Sequence, residues 1–147
     1  AELTAETLIP STIDILSARL LSGSKLAKMA AATALGRARS FRLQATSALL
    51  RGTEDASCGW AACCSLVTLW HDETSVPADV NDALSRFLRG SRPSGDVLVV
   101  LTALQEMGRI DRGCAQAAAS LLRHSDAGVR CAAAHLLGHA VTEARHT

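Results

Sequence analysis

Residues 24–38, "SKLAKMAAATALGRA", align without a gap on residues 126–140, "DAGVRCAAAHLLGHA". Lys28 falls on Arg130, the Ala30–Ala32 run on Ala132–Ala134, Leu35 on Leu137 and Gly36 on Gly138. This self-similarity restricts the fold more than any other feature of the chain. A unit that recurs must be one supersecondary structure, and it buries its apolar face by stacking on its neighbours. Two weaker copies lie between, "DASCGWAACCSLV" (55–67) and "DVLVVLTALQEMG" (96–108). Each copy follows a segment with a similar ending: "SARLLSG", "SALLRGT", "SRFLRGS" and "ASLLRHS". Paired segments at such a spacing read as helix–turn–helix repeats.

The residues within a copy agree with helices. Ser24, Asp55, Asp96 and Asp126 each precede a helical pattern, where a short polar side chain can accept from the free N–H groups of the first turn. Val129, Ala132, Ala133, Leu136, Leu137 and Ala140 share one helical face at the spacing expected for burial. Ala134 and Gly138 are small where a neighbouring helix must come close. The expected map pairs helices near 3–21 and 24–37, 39–51 and 56–70, 77–90 and 94–108, and 110–123 and 126–141. The corresponding units are 1–38, 39–72, 73–108 and 109–147, within a single domain. Pro77 sits near a helix start, where its missing N–H costs little, and Pro10 starts or bends the first helix. "RGSRPSGD" lengthens the turn of the third unit and makes it the most divergent.

The phrase Asp-x-x-Val-Arg-x-Ala-Ala-Ala-x-x-Leu-Gly, from Asp126 to Gly138, resembles the second helix of a HEAT repeat. The resemblance covers all four units and is strongest in the first and last. It implies an all-α fold, a right-handed α-solenoid of about four HEAT-like hairpins, with second helices lining the concave side. It also implies a ladder between adjacent repeats in which Asp pairs with Arg or Lys. Lys28 and Arg130 match the basic rung, whereas Gly59 and Val100 replace it. The last helix, through "CAAAHLLGHAV", keeps the internal pattern without a polar cap. The chain therefore reads as a piece of a longer solenoid, with Ala140 and Val141 beginning a surface for a following unit or a partner.

Composition narrows the function. The chain is 48% hydrophobic but only 3% aromatic, so its core comes from small side chains on many helices. A net charge of +1 argues against a dedicated duplex-DNA binder, which needs a basic footprint to displace counterions. With only four aromatic residues, stacking partners for single strands are scarce as well. The arginine groups Arg37, Arg39, Arg42 and Arg86, Arg89, Arg92 fall at helix ends, where cations offset exposed carbonyls. Five cysteines without a CxxC pair, and no signal-peptide pattern, point to a reducing, intracellular and cytoplasmic setting. The most apolar stretches, "WAACCSLVTLW" and "VLVVLTAL", are too short to cross a bilayer.

Cys131, His135 and His139, each four residues after the last, offer thiolate and imidazole ligands for a metal-dependent site or an enzyme face. They extend along two helical turns without a recognised zinc spacing, and the repeat gives them a simpler place as outward positions between the alanines. Cys63 aligns with an inward alanine and reads as core, whereas Cys64 falls on an outward row. "WHDE" (70–73) reads as solvated charge closing a helix. No phosphate loop, Ser–His–Asp arrangement or dinucleotide fingerprint is present. The expectation is a non-enzymatic scaffold with no cofactor, its partner another protein. Carried through the copies, the three outward positions give three rows. Met29, Trp60, Leu101 and Cys131 form an apolar track; Thr33, Cys64, Gln105 and His135 form a polar strip. Arg37, Thr68, Arg109 and His139 form a cationic edge. Such a surface suits a peptide or helix with apolar anchors and acidic flanks, with Trp60 as the leading anchor.

Overall fold

Alanine-rich segments with an apolar stripe become helices because alanine loses no side-chain entropy there and leucine little. In the computed structural model, which describes residues 5–145 with side chains over 12–140, the chain is all-α. Its eight α-helices among the described residues are α1 (Ala5–Ser22), α2 (Lys25–Leu35), α3 (Arg42–Gly52), α4 (Gly59–Trp70), α5 (Ala78–Arg89), α6 (Ser94–Met107), α7 (Arg112–Leu121) and α8 (Ala127–Arg145). A short 3-10 turn, Arg39–Phe41, precedes α3. None of these helices is long and apolar enough to cross a membrane. The expected helix start at residue 3 lies outside the described residues, and the surface beginning at Val141 lies beyond the described side chains. Pro10 lies within α1.

The chain divides into two compact units at Thr74 and Ser75. In the first, α1 packs on α2 and α3 on α4 as hairpins, while α1 meets α3 and α2 meets α4. First helices thus form one layer and second helices the other. Leu20, Leu35, Leu49, Leu66 and Leu69 are buried between them, each stabilising the fold by about 1.5–3 kcal/mol relative to exposure. Within the layer of second helices, α2 and α4 come close at Gly36, where an added Cβ would lie 2.9 Å from the Cβ of Ser65 on α4. Lys28 Nζ donates to Asp55 Oδ2 at 2.6 Å, joining the second helix of one hairpin to the turn before the second helix of the next. It is an Asp–Lys pair at the place where the resemblance implies a rung.

In the second unit α5 packs on α7, α6 on α8 and α7 on α8. α5 shows why it folds: Val80, Ala83, Leu84, Phe87 and Leu88 recur on one face and are buried. Its hairpin with α6 is open, for the two helices touch only lightly. Gly90 is extended at the end of α5, and Pro93 caps α6 without a side-chain hydrogen bond. The divergence expected of the third unit is there. α6 ends at Gly108, whose φ of 79° is a left-handed conformation that glycine adopts without strain.

The caps follow the expectation in part. Ser24 accepts from Ala27 N, and Asp126 from Val129 N. Asp55 accepts from the N–H groups of Ser57 and Cys58, but it closes the turn ahead of α4 rather than capping it; Cys58 holds the N-cap position. Asp96 is not a cap at all. It lies inside the first turn of α6, because Pro93 starts that helix earlier than the alignment places it. The cap that the sequence reading passed over is Asp111, which accepts from Cys114 N at 2.8 Å.

Candidate partner-binding surface

Two clefts hold most of the outward positions, one in each unit. Between α2 and α4, a cleft of about 280 Å³ is walled by Thr33, Gly36 and Arg37 on one side. Trp60, Cys64 and Thr68 wall it on the other. Trp60 and Cys64 are half-buried; Thr33, Arg37 and Thr68 are exposed. The hydroxyls of Thr33 and Thr68 donate to the carbonyls of Met29 and Cys64 on their own helices, leaving oxygen lone pairs for a donor. Neither helix carries a carboxylate, while α2 carries Lys25 and Lys28 and Arg37 follows at its end. Lys28 is engaged by Asp55; Arg37 makes no ion pair among the described residues.

The second cleft, about 520 Å³, lies between α6 and α8, with Gln105 facing Cys131, His135 and His139 over a floor of Ala134 and Gly138. Cys131 and His135 are exposed and His139 is half-buried. The ring of His139 lies over the Gly108 turn, its Nε2 3.7 Å from where a Cβ would stand. The three stripe residues thus share one wall. Even so, among the described residues no three His, Cys, Asp or Glu side chains come together in a way that could hold a metal ion.

No protein-family model, curated protein or solved structure matches this chain.

The expected rows differ from the structure at two places. Leu101 is 1% exposed and packs in the core with Val97, Val100 and Leu104, so it offers a partner nothing. Its misplacement has the same origin as that of Asp96. Aligned on helix starts, the position of Met29 falls on Leu98, which is half-buried. The Thr102 hydroxyl donates to Leu98 O at 2.9 Å as that of Thr33 does to Met29 O. Arg109 stands past the end of α6, half-buried in the connection to α7, rather than on a helix row. Met29 is half-buried on α2.

The arginines and "WHDE" belong together, which their separate readings missed. Arg39 pairs with Asp72 at 2.6 Å and Arg42 with Glu73 at 2.7 Å, across the open ends of the α3–α4 hairpin. Arg42 also donates from Nε to Leu69 O, and its guanidinium lies over the Trp70 ring, 5.1 Å from the centroid. Arg92 covers Phe87 in the same way at 4.7 Å. Those two rings are buried and faced by arginine, so neither is open to stack a base, and two cations of the first arginine group are neutralised. The buried Cys63 agrees with its inward reading, as does the half-buried Cys64 with its outward one. Burial, then the nearby Asp111 carboxylate, pushes the Cys114 thiol far above its ordinary range, making it inert at neutral pH.

Proposed function

We propose that this chain is a non-enzymatic protein-binding scaffold, and that the α2–α4 cleft takes a peptide or helix with an apolar anchor and acidic flanks. One observation carries the reading: a half-buried Trp60 stands in a cleft whose α2 wall bears cations and neither of whose helices bears a carboxylate. A tryptophan held in the wall of an open cleft offers a large contact area at small entropic cost. Arg37 at the rim supplies the complementary charge for an acid on the partner. The same reading takes the hairpins as HEAT-like units of a solenoid, in keeping with the two-layer packing within each unit and with the Lys28–Asp55 rung. Five free cysteines suit a reducing interior.

The test is panning of a displayed random-peptide library on the purified chain. Enriched peptides carry a large apolar residue beside Asp or Glu. Trp60→Ala weakens their binding by about tenfold or more, Arg37→Glu weakens it in a salt-dependent manner, and both variants keep the wild-type melting curve. Enriched peptides that bind Trp60→Ala and Arg37→Glu as tightly as wild type would refute the reading.

A further inference from the structure

The two closest copies of the repeat have opposite surroundings. Ala32, Leu35 and Gly36 on α2 are all buried, and Gly36 meets Ser65 of α4. Their sequence partners on α8 are Ala134, Leu137 and Gly138. Ala134 and Gly138 are exposed, Leu137 is only half-buried, and a Cβ added at Gly138 would find nothing within 4 Å. The opposite face of α8, with Val129, Ala133 and Leu136, is buried. The exposed side therefore corresponds to the side of α2 that receives α4.

The charges repeat the comparison. Lys28 on α2 reaches Asp55, in the turn that leads into α4. Arg130, its counterpart, is exposed, and its Nη1 donates to the carbonyls of His124 and Ser125. A guanidinium has five donors, so this placement leaves capacity for a carboxylate. On α2 the carboxylate and the small residue at the close approach, Asp55 and Ser65, stand ten residues apart.

We infer that the Ala134–Gly138 face of α8 docks a helix from a partner protein, entered through an aspartate and bearing a small residue about three turns later. The aspartate pairs with Arg130 and the small residue sits over Gly138, as Asp55 and Ser65 do on α2. A bulky side chain at the crossing would hold the helices apart and lose the packing on Ala134. A second copy of this chain fits less well. Its α2 segment enters through Ser24, which has no charge to offer Arg130. The inference stands apart from the α2–α4 cleft, since it uses other residues and another face.

The probe is a hydrocarbon-stapled, fluorophore-labelled peptide of residues 54–72, with its cysteines replaced by serine, titrated against the full-length chain. Saturable binding is expected, weakened by about tenfold or more by Gly138→Leu on the protein or Ser65→Leu on the peptide. Arg130→Glu on the protein and Asp55→Asn on the peptide each weaken binding, and together they lose less than the two separate losses combined. Gly138→Leu and Arg130→Glu stand at exposed positions, and a cooperative melting curve with a midpoint no lower than that of the wild type checks that they still fold. Absence of saturable binding overturns the inference, as does binding indifferent to Gly138→Leu and Arg130→Glu. Concentration-dependent self-association that Gly138→Leu abolishes, without peptide binding, assigns the face to a second copy and overturns it too.

Discussion

Thr46→Val isolates one buried hydrogen bond in the hairpin that presents Trp60. Trp70 Nε1 donates to Thr46 Oγ1 at 2.9 Å, and both residues are buried, at 9% and 5% exposure. Valine keeps the shape of threonine and removes the acceptor. The indole cannot swing out to water, because Arg42 lies over its ring while bonded to Leu69 O and Glu73. An orphaned buried N–H costs about 1–3 kcal/mol. For a unit of this size a loss near the middle of that range lowers the melting midpoint by roughly 10 °C. Thr46→Ser keeps the acceptor and loses one methyl group, so it should cost only about 1 kcal/mol. The decisive assay is a double-mutant cycle by urea unfolding. In a Trp70→Phe background there is no N–H to orphan, and the penalty of Thr46→Val should nearly vanish. An equal penalty in both backgrounds would refute the assignment and leave the contact as packing alone.

Three further outcomes follow from the geometry. The Lys28 ammonium, then the Ser57 hydroxyl, hold the Asp55 carboxyl well below the usual carboxylate range, while the carboxylate raises Lys28. The contribution of Asp55 is therefore full above its unfolded pKa of about 4 and fades as pH falls through the folded value. That of Lys28 is full below about 10.4 and fades as pH rises through its raised value. In urea titrations the stability gap between wild type and Asp55→Asn should close as acid is added; a pH-independent gap would count against the pair. Gly36→Ala should destabilise, since its Cβ would press on Ser65 at 2.9 Å. Gly138→Ala, in open space, should stabilise α8 by about 0.5–1 kcal/mol, and the same sign for both in thermal melts would contradict the comparison. With a disulfide reagent at neutral pH, Cys131 should react first and Cys64 more slowly, whereas Cys58, Cys63 and Cys114 react only on unfolding. Early labelling of Cys114, followed by mass spectrometry of its peptide, would show the α5–α7 packing to be wrong.

What could be read in advance was local. The hairpins announce themselves because the apolar period, the cap at Ser24 or Asp126 and the glycine after α6 each act within a turn or two of the chain. Alignment failed at the third copy for an equally local reason. Asp96 looks like Asp55 and Asp126, but Pro93 starts α6 first, and the displaced start carries Leu101 into the core. Asp111 did have a readable signal in "IDRGCAQAA", a cap residue ahead of an alanine run. The pairs of Arg39 with Asp72 and Arg42 with Glu73 had none, since they depend on which ends of two helices meet. Trp60, Cys64 and Thr68, and likewise Cys131, His135 and His139, were found because an i, i+4 stripe on one helix shares a wall whatever it packs against.

The repeat makes those two stripes comparable, and the comparison bears on specificity. Trp60, Cys64 and Thr68 occupy the places of Cys131, His135 and His139, and each set lines a cleft between the two second helices of its unit. The backbone arrangement is shared, while the chemistry is not. In the first unit an indole lies across from the cation Arg37; in the second a thiol and two imidazoles lie across from the carboxamide of Gln105. An apolar anchor that fills the first cleft would meet only small and polar groups in the second, where Ala134 and Gly138 form the floor. Exchanging one residue therefore separates scaffold from specificity: Cys131→Trp introduces the anchor into the second cleft without touching the buried face of Val129, Ala133 and Leu136. If the anchor alone determines recognition, peptides selected on the α2–α4 cleft should gain a second site on Cys131→Trp, visible as a change in calorimetric stoichiometry. If they do not, the basic wall at Arg37 is required as well, and a further Gln105→Arg exchange should supply it. Failure of both exchanges in a folded protein would mean that recognition does not reside in these rows.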